Sequence, residues 1–174
     1  MKTTSILCAL IGAFVLLIPL SACGISSNHL SDLEAIQKKV PFTIILPTYL
    51  PDDLGPDPYM VQGPFKIDEE ILVIEIEYQR QGGDSGYIYI EEQNSLFYVN
   101  ADWALHPDRT YLDITGIKVQ EEMTEAVPYP TNEPINYGFR YVWNKSGTDF
   151  LVDIFGYDQD ECRQIVESMI QPIE

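Results

Sequence analysis

Alternation of apolar and polar residues constrains this chain more than any other feature. In the range 72–78 every second residue is apolar, and Glu75 and Glu77 stand between the apolar positions. The same period of two returns in residues 137–143 and 148–155. This is the period of a strand with one dry and one wet face. The sequence therefore predicts an antiparallel sheet.

Helix signals stand at both ends of these strands. Ser31 with Glu34, and Asp158 with Glu161, have the spacing of a capping box ahead of an apolar stripe. Cys162 falls on the apolar side of the second helix. We predict an α+β fold, in which a curved antiparallel sheet of about five to seven strands carries an N-terminal and a C-terminal helix.

The intervening segments give weaker signals. Residues 42–46 alternate as a short strand, and the proline-rich range 47–64 predicts an irregular loop. Residues 111–120 predict a strand that bends or bulges at Gly116. The acidic, proline-containing range 121–134 predicts an exposed loop.

The first 22 residues have the build of a secretory signal peptide, with Lys2 ahead of an uncharged apolar run from Ile6 to Leu20. That run is shorter than the roughly 20 residues that span a bilayer. The sequence Leu20-Ser21-Ala22-Cys23 resembles the lipobox of bacterial lipoproteins, and this resemblance implies a diacylglycerol on the Cys23 sulfur and cleavage before it. We expect a signal peptide (1–22), a tether (23–30) and a single domain (31–174), held by lipid on the extracytoplasmic side of a bacterial membrane, inner or outer.

Charge and cysteine content exclude several functions. Without its signal peptide the chain has 9 basic and 27 acidic side chains, a formal net charge of −18. Nucleic-acid binding is excluded, because it depends on Lys and Arg that neutralise phosphates. Acidic clusters leave weak Ca²⁺ binding open, but none has EF-hand spacing. Cys162 is the one thiol left for the mature domain, so no intramolecular disulfide is expected.

Five short segments carry a further resemblance: residues 44–51, 76–78, 112–116, 141–147 and 165–170. They resemble an extracytoplasmic domain of unknown function that occurs on bacterial lipoproteins and at the outer ends of some membrane-bound anti-sigma factors. The resemblance covers roughly residues 38–171. It implies a small non-catalytic α+β domain outside the cell, and it offers no catalytic residue. We expect this chain to differ from the anti-sigma members in having no cytoplasmic part, so direct regulation of a sigma factor is not expected.

Candidates for catalysis are weak. Gly83-Asp84-Ser85-Gly86 imitates the nucleophile segment of trypsin-like proteases, but the two histidines, His29 and His106, do not supply the base in the order that such a site needs. One free cysteine and two isolated histidines do not make a zinc site. Glu75 and Glu77 share one strand face, as solvated carboxylates commonly do. We expect no enzyme, no cofactor and no metal centre.

The aromatic residues are the remaining lead. Trp103, Tyr111, Tyr141 and Trp143 are amphipathic types that line a ligand groove as readily as a core. We expect a non-catalytic binding or sensory module for an unidentified protein or small molecule. The alternative is a carrier that holds an apolar ligand in a groove under the sheet.

Overall fold

A computed structural model of the chain describes residues 29–67, 70–81, 86–95, 110–125 and 137–171. The predicted signal peptide and Cys23 lie outside these residues. The described residues form two helices and seven strands. In chain order these are α1 (His29–Gln37), β1 (Met60–Lys66), β2 (Leu72–Gln79), β3 (Tyr87–Gln93), β4 (Thr110–Ile114), β5 (Ile117–Glu125), β6 (Tyr137–Lys145), β7 (Thr148–Phe155) and α2 (Gln159–Ile170).

The strands form one open antiparallel sheet in the order β1-β2-β3-β7-β6-β5-β4. Strands β1 to β3 make one meander and β4 to β7 make a second. The two meanders join where β3 pairs with β7, for example at Ile90 opposite Val152. The predicted α+β class and antiparallel sheet are confirmed.

One face of the sheet packs against α2. Ile74, Ile90, Val152 and Tyr141 point to this face, which we call the core face, and each is 0 % exposed. From α2, the side chains that are equally buried are Cys162, Ile165, Val166 and Met169. The predicted apolar stripe of the last helix is therefore confirmed, and Asp158 caps it by accepting the Glu161 N–H at 2.9 Å.

Helix α1 contributes Leu33 and Ile36 to the same core. It begins at His29, two residues before the predicted capping residue Ser31. Neither described helix has the length and apolar character needed to cross a membrane.

Residues 41–46, which we call the strap, form no strand although their sequence alternates. The strap lies over the core face, with Phe42 buried and Ile44 to Leu46 half-buried. Its backbone groups bond to side chains instead of a strand. Gln37 Nε2 donates to the Phe42 carbonyl at 2.7 Å, and Gln37 Oε1 accepts the Ile44 N–H at 2.9 Å. The strand prediction for 42–46 is therefore wrong.

Two further segments differ from their predictions. Strand β1 overlaps the end of the range 47–64 predicted as an irregular loop. Its pairing with β2 shifts register between Gln62 and Phe65, around a cis Gly63–Pro64 bond. The predicted single strand 111–120 is a hairpin of β4 and β5. Thr115 (φ 52°) and Gly116 (φ 82°) both have positive φ, as the central residues of a tight hairpin turn require.

Candidate functional site

The most unusual polar group of the core is Glu92, on strand β3. Its register places it on the core face between Ile74 of β2 and Phe150 of β7, and it is 0 % exposed. Both carboxyl oxygens lie within reach of one donor, the Ile45 N–H of the strap, at 3.0 and 3.3 Å. Burial raises the pKa of Glu92 to about 8, and the Ile45 N–H offsets only part of that effect. Burial therefore favours the neutral form of this carboxyl at pH 7.

A cavity of about 460 Å³ lies beside this contact, between the strap and the turn that joins β6 to β7. Ile45 and Phe150, which both neighbour Glu92, are part of its wall. Its full lining is Pro41, Phe42, Thr43, Ile45, Asn94, Lys145, Ser146, Gly147, Thr148 and Phe150. The size falls in the range of small-molecule sites, and apolar and polar groups both reach it. We call this the strap cavity.

A second buried carboxylate, Glu121 on β5, has the opposite electrostatics. Burial disfavours its charge, but hydrogen bonds from Arg163 and Gln159 outweigh burial and hold the pKa of Glu121 below its ordinary value. Arg163 donates to both oxygens at 2.8 Å, and Gln159 Nε2 donates at 2.7 Å. This pairing fixes the start of α2 to β5. The prediction of an exposed loop from residue 121 is wrong here, because β5 continues through Glu125 and Glu121 is buried.

An apolar groove of about 360 Å³ lies beside the strap. It runs between α1 and the strap, and its lining is Leu33, Glu34, Gln37, Lys38, Ile44 and Leu46. Its lining combines apolar side chains with the charges of Glu34 and Lys38, which are of opposite sign. We call this the α1 groove.

A third cavity, of about 440 Å³, is polar and lies near the start of α2. Asp53 accepts the Tyr157 hydroxyl at 3.1 Å and lies 2.5 Å from Arg80 Nε. The Arg80 guanidinium also lies 4.8 Å from the centre of the Tyr157 ring. Burial and the Asp53 carboxylate raise the pKa of Tyr157 to about 12. These contacts tie the loop before β1 to the end of β2 and to α2.

The four aromatic residues predicted for a ligand groove are not brought together where the structure describes them. Tyr141 and Trp143 are 0 % and 1 % exposed on the core face, and Trp143 stacks on Phe150. Tyr111 is 45 % exposed on β4, with Lys118 Nζ 4.0 Å from its ring centre. Trp103 lies outside the described residues.

The other predicted candidates are placed as follows. Cys23 and Ser85 lie outside the described residues. Glu75 and Glu77 share the sheet face opposite the core, and Glu75 is paired across the strands with Glu91. Among the described residues, no three His, Cys or carboxylate side chains are grouped as a metal site.

Glu92 and the strap were not predicted from the sequence as part of a functional site. A signal was available, because Glu92 continues the alternation of Ile88 and Ile90 and so belongs to their face of the strand. The donor was not predictable, because Ile45 is 47 residues away in the chain.

Comparison with known proteins gives no relative. No family model matches the chain, and no curated protein and no solved structure is significantly similar to it.

Proposed function

We propose that this chain is a lipid-anchored extracytoplasmic protein that acts as a non-catalytic binding or sensory module. The observation that carries the anchor is the sequence Leu20-Ser21-Ala22-Cys23 at the end of a signal-length apolar run. A covalent lipid adds about 0.8 kcal/mol of membrane affinity per buried CH₂, so two or more acyl chains hold the domain at the membrane. The proposed domain is of the kind found on other lipoproteins and on anti-sigma factors.

The binding part of the proposal is supported by the strap cavity. It is bounded by a segment without ladder hydrogen bonds and by a hairpin turn, so one of its walls can move. Its mixed lining suits a small molecule with an apolar body and a few polar groups. A binding role needs no further group, whereas hydrolysis by a serine nucleophile would need a positioned base.

The anchor is tested by Cys23→Ser in a bacterial host that is fed labelled palmitate. We expect the wild-type chain to take up label and to fractionate with membranes, and the variant to do neither, because it lacks the acceptor thiol. Cys162→Ser is the matched control and should label like wild type. Equal labelling of Cys23→Ser and wild type would refute the lipid anchor.

A carrier for an apolar ligand is the second candidate, and the α1 groove is the observation that favours it. In the carrier hypothesis a curved sheet with both helices packed on it leaves room for the ligand. A fluorescent fatty acid such as cis-parinaric acid should then bind with 1:1 stoichiometry, and Leu33→Asn should weaken that binding about tenfold by placing an amide in the groove. Glu77→Gln, on the opposite face, is the control. Binding that is unchanged in Leu33→Asn would rule out the groove as the ligand site.

A further inference from the structure

The strap is joined to the sheet by very few polar contacts. Among the described residues, no backbone–backbone hydrogen bond involves residues 41–46. Gln37, which bonds two strap residues, belongs to α1 and not to the sheet. The contact of the Ile45 N–H with Glu92 is thus the polar link between the strap and β3.

That link joins a fully buried carboxyl to a single donor. The ion pairs of the described residues use Asp53, Asp153 and Glu121, and none uses Glu92. A neutral carboxyl accepts the one N–H without burying a charge. An ionised carboxylate loses the hydration of both oxygens, and one N–H does not replace it.

The strap cavity lies next to this carboxyl, although Glu92 itself is not part of its lining. Ile45 covers Glu92 on one side and Phe150 flanks it on the other, and both form walls of the strap cavity. Displacing the strap would join the cavity to the Glu92 carboxyl. Ionisation of Glu92 therefore favours the displaced strap, because only that conformation hydrates the charge.

We propose that the strap is a proton-controlled latch, which is closed over the sheet while Glu92 is neutral and shifts toward an open conformation when Glu92 ionises. The proposal rests on the proposed function in one respect, because the cavity that opens is the proposed ligand site. It gives the sensory module a signal, the external pH.

The neighbouring charged and titratable groups do not compensate the Glu92 charge. From β2, the Tyr78 hydroxyl is acidic only at high pH, because burial and the charges of Asp57 and Glu92 raise its pKa. Lys145, at the end of β6, donates to the Ile170 carbonyl at 2.9 Å. Two further elements that pack against Glu92 bring no charge to it. The strap carries no titratable side chain, and the described core-facing residues of β7 are Thr148, Phe150, Val152 and Ile154.

The titration of Glu92 falls in an accessible range. Its pKa is raised to about 8 by burial, against an ordinary value of 4.5. Over this interval the closed strap retains a proton that the open strap releases. The ratio of open to closed strap should therefore rise by up to about tenfold per pH unit and level off above pH 8.

The test is amide hydrogen exchange by NMR in the mature chain carrying Cys23→Ser, which keeps every other residue and takes no lipid. Exchange rates from pH 5 to 9 are divided by the intrinsic rates at each pH. We expect the protection of the Ile45 amide against exchange to fall with rising pH. The urea concentration is kept too low to expose the Val152 amide of β7, which reports unfolding of the sheet. Glu92→Gln should abolish this dependence, because the amide stays neutral.

Glu91→Gln is the matched control, since Glu91 precedes Glu92 on the opposite face, and it should keep the wild-type response. The latch would be overturned if the protection of the Ile45 amide did not change with pH. It would also be overturned if the pH dependence persisted in Glu92→Gln. If Glu92→Gln does not fold, a second measurement replaces that variant. The Glu92 carboxyl carbon is titrated by ¹³C NMR in the chain that keeps Glu92. The pH midpoint of this ¹³C titration must coincide with the pH midpoint of the change in the Ile45 amide chemical shift. Two different midpoints would overturn the proposal.

The outcome is independent of the lipid. Failure of Cys23 acylation would remove the anchor and leave the latch in place. A strap that stays closed in this experiment would remove the latch and leave the anchor in place.

Discussion

At the scale of single residues, burial acts differently on two titratable groups of the core. Cys162 and Glu92 are both 0 % exposed. A thiol of ordinary pKa is already mostly neutral at pH 7, so burial, which raises the pKa of Cys162, only makes it less reactive. The carboxyl would be charged at pH 7 in water, so burial changes its protonation state. Cys162 is therefore a packing residue, whereas the burial of Glu92 opposes the charged form of its carboxyl.

We predict that Cys162 reacts slowly with a thiol reagent in the folded protein. Burial, with the charges of Asp158 and Glu161, raises the pKa of the Cys162 thiol to about 12, and the thiolate is the reactive form. Labelling by a chromogenic disulfide, followed with and without urea, should be fast only in urea. Cys162→Asp should cost roughly 3–5 kcal/mol by burying an unpaired charge, and Cys162→Ala should cost less. Rapid labelling of the native protein would contradict the helix register.

At the scale of elements, glycines show where backbone geometry decides stability. Gly116, in the β4–β5 turn, has φ 82°, and no atom of the described residues lies within 4 Å of the point that a Cβ would occupy. Gly138, on β6, lies opposite Phe155, and an added Cβ would lie 2.5 Å from the Phe155 ring atom Cδ1. A side chain at position 116 is disfavoured by the backbone conformation, and a side chain at position 138 is disfavoured by lack of space.

We predict that Gly116→Ala costs about 1 kcal/mol of unfolding free energy, the usual penalty for a Cβ at positive φ. Gly147→Ala, at φ 87° and also with open space, should cost the same. Gly138→Ala should cost more than either, because β6 and β7 must separate to admit the methyl group. Urea unfolding followed by circular dichroism measures all three. Equal losses at positions 116 and 138 would contradict the close approach of β6 and β7.

Local sequence predicted some elements and not others. The β6–β7 hairpin was predictable because two alternating runs flank the polar turn 144–147. The β4–β5 turn was missed because Thr115 is an uncommon residue at positive φ. The strap has the alternation of a strand, but a strand exists only where a neighbouring backbone supplies hydrogen bonds.

At the scale of the whole molecule, Glu92 and Glu121 give opposite contributions to the pH dependence of stability. The pKa of Glu92 is raised in the folded chain, so its contribution is complete below the ordinary value of 4.5 and is lost as pH rises toward about 8. The pKa of Glu121 is lowered, so its contribution is present above the ordinary value and is lost as pH falls through its folded pKa.

We therefore predict that Glu92 lowers the unfolding free energy by up to about 1.4 kcal/mol per pH unit between pH 5 and 8. Urea unfolding at each pH measures this slope. Glu92→Gln should flatten the slope in this window, and Glu121→Gln should leave the slope unchanged there while lowering stability at every pH in it. A slope that Glu92→Gln does not alter would show that Glu92 is ionised in the folded chain.

Local sequence was sufficient to predict the class of fold and the register within single elements. Alternation set which residues of β2, β6 and β7 share a face, and the apolar stripe of α2 placed Cys162 in the core. Both follow from periods of 2 and 3.6 residues that a short stretch of chain contains. The pairing of β3 with β7 and the contact of Ile45 with Glu92 became visible only in the folded chain. Residues in these contacts are tens of positions apart, and their partners are selected by the packing of the whole chain, which no local pattern contains.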